Sequence, residues 1–195
     1  MMQNLFLLYV PKHFGENSPL PKVLGDFLQK SASTRFELTI SPGYLGEGKS
    51  FICQASAIFA GHVSRLIIYR GMTSYTRFNT TSVDFQCSLC VNVTQMPTNN
   101  DHRKMMFFRS RSNTEAILIG SSNFSAKTYF RKEKGEADLL LFYDNAVCEY
   151  YRGMINGGGE DNVYGSCVLS ESIAMRGEAR QYLDSIYDEF VNNAI

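Results

Sequence analysis

The chain has 195 residues, of which 44% are hydrophobic, and its 19 basic and 19 acidic residues give a net formal charge of zero. This length predicts a single domain over residues 1–195, with enough apolar residues for a sizeable core. No run of 18 apolar residues occurs, which argues against a transmembrane helix, and the N-terminal segment has neither the basic region nor the cleavage site of a signal peptide. We therefore expect a cytoplasmic protein that does not contact a membrane.

Predicted strands and helices alternate along the first half of the chain. Short apolar runs predict strands, whereas apolar residues at helical spacing predict helices. In chain order, the predicted elements are a strand at Leu5–Val10, a helix at Pro19–Gln29, a strand at Arg35–Ile40, a buried helix at Ser50–Val63, and strands at Arg65–Tyr69 and Phe85–Val93.

The second half is predicted to begin with a β-hairpin whose strands, His102–Phe108 and Ala116–Gly120, are joined by the polar loop RSRSNTE. A strand at Ala137–Tyr143, a flexible surface loop over residues 151–166 and a C-terminal helix at Glu171–Asn192 follow. Near-continuous apolar strands separated by helices predict an α/β fold, in which helices cover both faces of the sheet.

Charge is distributed unevenly along the chain. Residues 102–134 carry eight Lys and Arg against two acidic residues, whereas residues 135–195 carry three against eleven. The basic segment contains the predicted hairpin and favours an anionic substrate there. A solvated basic surface balanced by acidic helices is the alternative explanation.

The cysteines bear on metal binding. Of the five, only Cys87 and Cys90 form a CxxC pair, and a zinc site usually needs a second pair. We therefore predict reduced, buried thiols, with no metal or other cofactor.

The predicted hairpin carries four side chains that can bind or attack a phosphate group. His102 and Lys104 are two residues apart, as are Ser121 and Asn123, so each pair points to one face of its strand. Neighbouring strands lie about 5 Å apart, which lets all four side chains converge on one small anion. Histidine can attack phosphorus or transfer a proton near neutral pH, and the other three can stabilise charge on the phosphate oxygens.

The letters HRK at 102–104, followed by GSSN at 120–123, resemble the HxK…GSxN motif of the phospholipase D superfamily. The resemblance implies a phospholipase D-like fold, which is a mixed β-sheet flanked by helices on both faces. It also implies cleavage of phosphodiesters through a covalent phosphohistidine, without a metal ion.

The resemblance further implies a role for each matching residue. His102 is the nucleophile or the matching acid, Lys104 and Asn123 hold the phosphate, and Ser121 is a secondary phosphate contact. A downstream glutamate that orients the histidine corresponds to Glu136.

Two positions bear on the details of the resemblance: one leaves an alternative open, and the other departs from the motif of phospholipases. Glu133 is the alternative to Glu136 as the histidine's partner. Phospholipases have an aspartate five residues after the lysine, where this chain has Arg109. Metal-independent type II restriction endonucleases of the superfamily lack that aspartate, and TISPGYL at 39–45 and LIIYRGM at 66–72 also resemble segments of that subfamily.

The resemblance therefore implies a DNA endonuclease of a restriction system, over roughly residues 38–144. The sequence does not separate DNA from RNA as the substrate. A phosphodiesterase acting on lipid or another substrate is the first alternative, and a non-catalytic anion-binding assembly module is the second.

The superfamily needs two HxK motifs, whereas this chain has one, because neither His13 nor His62 has a lysine two residues later. We therefore expect a homodimer with one composite active site at its two-fold interface, where His102 faces His102.

Basic residues around the hairpin are the candidate contacts to the DNA backbone. They are Arg109, Arg111, Lys127, Arg131, Lys132 and Lys134. No sequence-reading motif is recognisable, so specificity is expected in a separate DNA-recognition domain or subunit, or in a minimal readout by the chain itself.

Overall fold

A computed structural model describes residues 4–42, 58–59, 61–70, 90–95, 103–122, 126–132, 135–158, 162–174 and 178–192. The strands are β1 (Asn4–Lys12), β2 (Phe36–Pro42), β3 (Val63–Arg70), β4 (Cys90–Gln95), β5 (Lys104–Ser110), β6 (Asn113–Gly120), β7 (Glu136–Phe142) and β8 (Val168–Ala174). The helices are α1 (Leu20–Lys30), α2 (Ala126–Tyr129), α3 (Asn145–Asn156) and α4 (Ala179–Asn192).

Within the described residues the eight strands form one sheet of order β4-β3-β2-β5-β6-β7-β1-β8. The pairs β2–β3 and β3–β4 are parallel and the other five pairs are antiparallel, so the sheet is mixed. β5 and β6 form the predicted hairpin at the centre of this sheet.

One face of the sheet packs against α1 and α3. Phe27 of α1 lies with its ring 5.2 Å from Phe108 and 5.9 Å from Phe36, and Val147 and Tyr151 of α3 are fully buried in the same core. Burying a side chain of this size stabilises the fold by about 1.5–3 kcal/mol.

The opposite face packs against α4. Its Leu183 and Phe190 are buried with Phe107 and Ile117, and the rings of Phe107 and Phe190 lie 4.9 Å apart. Helices therefore cover both faces of a mixed sheet, and the predicted α/β architecture is confirmed.

The predicted flexible loop over residues 151–166 is wrong, because α3 covers its first part. The Asp144 side chain caps this helix by accepting hydrogen bonds from the backbone N–H groups of Ala146 and Val147. Cys148 and Tyr151 of this helix are buried, and they are about one helical turn apart, so they lie on the same face.

The predicted helix over 171–192 begins too early. Residues 168–174 form β8, which pairs antiparallel with β1, and the helix begins only at Ala179. β8 lies at the edge of the sheet with Val168 60% exposed, so it lacks the apolar run that marks the buried strands.

Two predicted elements fall partly outside the described residues. Of the helix predicted over residues 50–63, Ile58 and Phe59 are helical, but Gly61 forms a turn at φ 81° and Val63 already begins β3. A positive φ suits glycine and ends a helix here. Residues 50–57 of this predicted helix and 85–89 of the predicted strand lie outside the described residues.

Among the described cysteines, Cys148 and Cys167 are buried free thiols, as predicted. No helix in the described ranges combines the length and the apolar character that crossing a membrane requires.

Candidate active site

The ends of four neighbouring inner strands lie side by side at one end of the sheet, and we call this region the site edge. They are the start of β5 at Lys104, the end of β6 at Gly120, the start of β7 at Glu136 and the end of β1 at Lys12. The strand register aligns them, because Gly120 pairs with Asp138 and Lys12 pairs with Glu136.

Gly120 allows β6 and β7 to approach closely at this edge. A Cβ atom at position 120 would lie 2.1 Å from Oδ1 of Asp138 and 2.5 Å from the backbone oxygen of Ala137. Both distances are far below van der Waals contact, so a residue with a side chain does not fit here. The glycine of GSSN therefore serves strand packing at the site edge.

Ser121 links the GSSN segment to Glu136. Its hydroxyl donates to Oε2 of Glu136 over 2.6 Å and accepts the backbone N–H of Ala137 over 2.8 Å. Its own N–H donates to the backbone oxygen of Ala137 over 2.9 Å. The serine predicted as a phosphate contact is thus engaged in holding the predicted histidine-orienting carboxylate.

A buried carboxylate, Asp138, lies beside the same segment. It is only 3% exposed and accepts hydrogen bonds from both the backbone N–H, over 3.2 Å, and the hydroxyl of Ser122. Burial raises its pKa from 3.8 to about 6, the bonds from Ser122 oppose that shift, and the charge of Glu136 adds to it. β7 begins at Glu136, so the alternation of side chains places both carboxylates on one face of the strand.

Lys104 borders the same pocket as Asp138. Ser41, Ser122 and the buried Tyr129 of α2 complete its polar lining, and its volume is about 10 Å³, which is the space of roughly one water molecule. Burial raises the pKa of Tyr129 well above its ordinary value, and the negative charge of Asp138 adds to the shift. The structure thus brings Lys104 together with Ser122 and Asp138.

A second lysine at the site edge was missed by the sequence reading. Lys12 is 4% exposed and its Nζ donates to the backbone oxygen of Thr128 in α2 over 3.0 Å. Its Cα pairs with that of Glu136 across β1 and β7. Alternation along β1 could have revealed it, because Lys12 shares a face with the buried Leu8 and Val10.

Some predicted residues lie outside the described part of the chain. They are His102, Asn123, Glu133 and Lys134, together with the side chain of Lys127 in α2. In the described ranges, no three His, Cys, Asp or Glu side chains are grouped as ligands for one metal ion.

The predicted DNA-backbone contacts that the structure describes lie in two groups, at opposite ends of the β5–β6 hairpin. Arg131 and Lys132 are exposed just before β7, and the backbone oxygen of Lys132 accepts the N–H of Gly15 over 2.9 Å, so they lie at the site edge. Arg109 and Arg111 lie at the other end of the hairpin, about 17 Å from Lys104 at 3.4 Å per residue. The structure does not bring these two arginines to the site edge.

No protein-family model and no curated protein matches the sequence. Among solved structures, the chain is similar to a phospholipase D family member, Nuc from Salmonella typhimurium, with 15% identity, a TM-score of 0.41, and coverage of 75% of this chain and 90% of that one.

Two further solved structures give likenesses of the same order. Phosphatidylserine synthase from Haemophilus influenzae Rd KW20 is 10% identical with a TM-score of 0.45, and the match covers 96% of this chain but only 46% of that protein. NucT from Helicobacter pylori is 13% identical with a TM-score of 0.40, over 69% of this chain and 83% of that one. These likenesses are distant, and a functional proposal has to rest on the chain's own residues.

Proposed function

We propose that this protein is a metal-independent type II restriction endonuclease, which hydrolyses DNA phosphodiester bonds through a phosphohistidine intermediate. The observation that supports the proposal is the convergence of Lys104, Ser121 and Glu136 at one sheet edge, with Ser121 hydrogen-bonded to Glu136. His102 precedes Arg103 by one peptide bond and Asn123 follows Ser122 by one. Both residues are included in the proposed site as the sequence neighbours of Arg103 and Ser122.

In the proposed reaction, a ring nitrogen of His102 attacks the phosphorus atom and the bond to the leaving oxygen breaks. A second histidine donates the proton that this oxygen needs. Water then attacks the phosphohistidine, with the second histidine taking its proton, and His102 is released. Glu136 accepts a hydrogen bond from the ring and so fixes its tautomer and stabilises its positive charge.

Lys104 and Asn123 bind the phosphate oxygens, on which negative charge builds up in the transition state. A lysine can stabilise this charge as a metal ion does in other phosphodiesterases, because it supplies a fixed positive charge in a partly water-excluded site. Ser121 fixes Glu136 by a hydrogen bond, and Asp138 fixes the segment that follows β6 by accepting hydrogen bonds from Ser122.

The second histidine has to come from a second copy of the chain, since only His102 has a lysine two residues later. We propose a two-fold homodimer in which one phosphate lies between the two site edges. His102 of one protomer attacks, and His102 of the other protomer protonates the leaving oxygen.

The positive charges of the site edge favour a nucleic acid, and DNA is the proposed substrate. Arg131 and Lys132 are exposed beside β7 and can contact phosphates next to the scissile one. Lys127 and Lys134 are the further proposed backbone contacts. Sequence specificity is assigned to a further domain or a partner subunit.

Plasmid cleavage in the presence of EDTA tests the proposal. Wild-type protein should nick or linearise the plasmid, and His102→Ala should abolish cleavage, because no nucleophile remains. His62→Ala is the matched control and should cleave like the wild type, because His62 is bonded through its backbone to Phe36 at the opposite end of the strands. Activity that disappears with EDTA, or that survives in His102→Ala, contradicts the mechanism.

The substrate class needs its own comparison. Equal amounts of protein should be given duplex DNA, RNA and phosphatidylcholine vesicles under the same buffer conditions. We expect hydrolysis of DNA. Faster release of choline or of phosphatidic acid would replace the nuclease assignment with a lipid phosphodiesterase.

A further inference from the structure

A groove of about 800 Å³ opens at the end of the β5–β6 hairpin opposite to Lys104, and we call it the distal groove. Four arginines line it: Arg35, Arg109, Arg111 and Arg180. Two carboxylates also line it: Glu37, which forms an ion pair with Arg65 over 2.9 Å, and Glu115, which accepts the hydroxyl of Tyr143 and keeps its negative charge. The distal groove therefore presents a surplus of positive charge.

The turn that carries Arg111 into this groove has an unfavourable backbone. Arg111 and Ser112 both have positive φ, at 50° and 71°, as a two-residue type I′ hairpin requires. Such turns prefer asparagine and glycine, because other side chains are strained at positive φ. Strained backbone is concentrated at functional sites, and this strained turn places Arg111 at the lining of the groove.

Arg109 is fixed in position at the wall of the groove. Its guanidinium lies 3.8 Å from the ring centre of Tyr187 in α4, and its Nη2 donates to the backbone oxygen of Ser112 over 2.5 Å. Its Nε is buried and has no hydrogen-bond partner among the described residues. A guanidinium fixed before binding loses little side-chain entropy when it binds an anion, and its planar fork matches phosphate oxygens.

The location separates this groove from the proposed cleavage site. About 17 Å of β5 lies between Lys104 and Arg109, and helices cover both faces of the sheet in between. A DNA duplex bound straight across the site edge does not also fill a groove at the far end of the strands. The distal groove therefore takes a ligand of its own, and its volume is in the range of small-molecule sites.

We propose that the distal groove is a second anion-binding site, which takes a small ligand carrying two or more phosphate groups. Four guanidinium groups match the charge of a polyphosphate chain better than that of a single phosphate. The aromatic lining residue, Phe36, is 1% exposed and offers no ring for a base to stack on. Recognition therefore goes through the phosphates, whether the ligand is a free polyphosphate or a nucleotide.

Calorimetric titration with inorganic tripolyphosphate at low salt tests this site. Arg111→Asn removes one guanidinium and relieves the turn, so we expect at least tenfold weaker binding with an unchanged or higher melting temperature. Ser112→Gly relieves the turn and keeps Arg111, so affinity should stay at the wild-type value while the melting temperature rises. Loss of affinity in a more stable protein is a result that unfolding cannot produce.

Two controls separate this site from others. Arg152→Ala removes a cation on α3 that pairs with Glu149, and Lys104→Ala removes the cation of the site edge. Both should bind tripolyphosphate as the wild type does. A loss in Arg152→Ala as large as in Arg111→Asn would mean diffuse charge attraction, and a loss in Lys104→Ala would mean binding at the site edge.

Further ligands identify the chemistry that is recognised. Orthophosphate should bind at least tenfold more weakly than tripolyphosphate, and ATP should bind about as well as tripolyphosphate. Equal affinity for orthophosphate would overturn the polyphosphate assignment. So would binding of a short single-stranded oligonucleotide without any binding of tripolyphosphate.

Discussion

The two ends of the β5–β6 hairpin differ in how their charges are held. At the site edge, the hydroxyl of Ser121 donates a hydrogen bond to Glu136 and that of Ser122 donates one to the buried Asp138, so both carboxylates are fixed in position. At the distal groove, Arg111 lies in a strained turn and Arg109 stacks on Tyr187, and both line an open groove. We propose that one end orients catalytic groups and that the other end binds an anion.

The largest expected effect comes from the lysine of the site edge. Lys104→Ala should reduce plasmid cleavage by about 10²–10³-fold, as removal of one transition-state hydrogen-bond donor does. Lys30→Ala removes a cation stacked on Tyr150, away from the hairpin, and should leave cleavage unchanged. Equal cleavage rates for Lys104→Ala and Lys30→Ala would contradict the proposed role of Lys104 in binding the phosphate.

The close approach of β6 and β7 can be tested by stability. Gly120→Ala should lower the free energy of unfolding by about 3 kcal/mol or more, because its Cβ would collide with Asp138 and the backbone of Ala137. Gly153→Ala in α3 is the matched control, since its Cβ meets nothing within 4 Å and should stabilise the helix by about 0.5–1 kcal/mol. Urea denaturation of both variants measures the contrast, and a harmless Gly120→Ala would contradict the packing.

Asp138 should make folding stability depend on pH. Its folded-state pKa of about 6 lies above the ordinary 3.8, so the folded protein holds this proton more tightly than the unfolded chain. The contribution of Asp138 to stability is therefore present below about pH 4 and is lost as the pH rises through 6. A shift of this size corresponds to at most about 3 kcal/mol.

Asp138→Asn should remove this dependence. The amide keeps an acceptor for the N–H of Ser122 and never ionises. The unfolding free energy of the variant relative to the wild type should therefore increase between pH 4 and pH 7, by at most about 3 kcal/mol. Denaturation series at several pH values measure this difference, and a constant difference would show that Asp138 is not the buried titrating group.

The parts of the fold that were predictable from the sequence are those marked by patterns among neighbouring residues. The hairpin, the β7 strand and the placement of Lys104 and Glu136 follow from apolar alternation and from short motifs within a few residues. The helix α3 has core-facing apolar residues at helical spacing, but its start depends on the cap at Asp144 and the glycine run that follows it, at residues 157–159, is typical of a loop. The edge strand β8 was missed because its pairing with β1 joins residues 159 to 170 positions apart, as from Tyr9 to Val168 and from Asn4 to Ala174.

The distal groove was not predictable because no local pattern encodes it. The linker RSRSNTE was predicted as a loop of seven residues, whereas the strands run on until only Arg111 and Ser112 remain in the turn. Arg35 and Arg180 join Arg109 only through the packing of distant elements. Lys12 at the site edge was missed for a different reason: β1 was predicted to end at Val10, although the alternation along the strand continues to Lys12.

The central claim is that two copies of His102 act on one phosphate. Wild-type and His102→Ala chains should be unfolded together, refolded at several mixing ratios and assayed for plasmid cleavage at fixed total protein. A composite site predicts activity that follows the square of the wild-type fraction, because mixed dimers lack one of the two histidines. Activity that falls linearly with that fraction, or full activity in a protein that sediments as a monomer, would contradict the composite site.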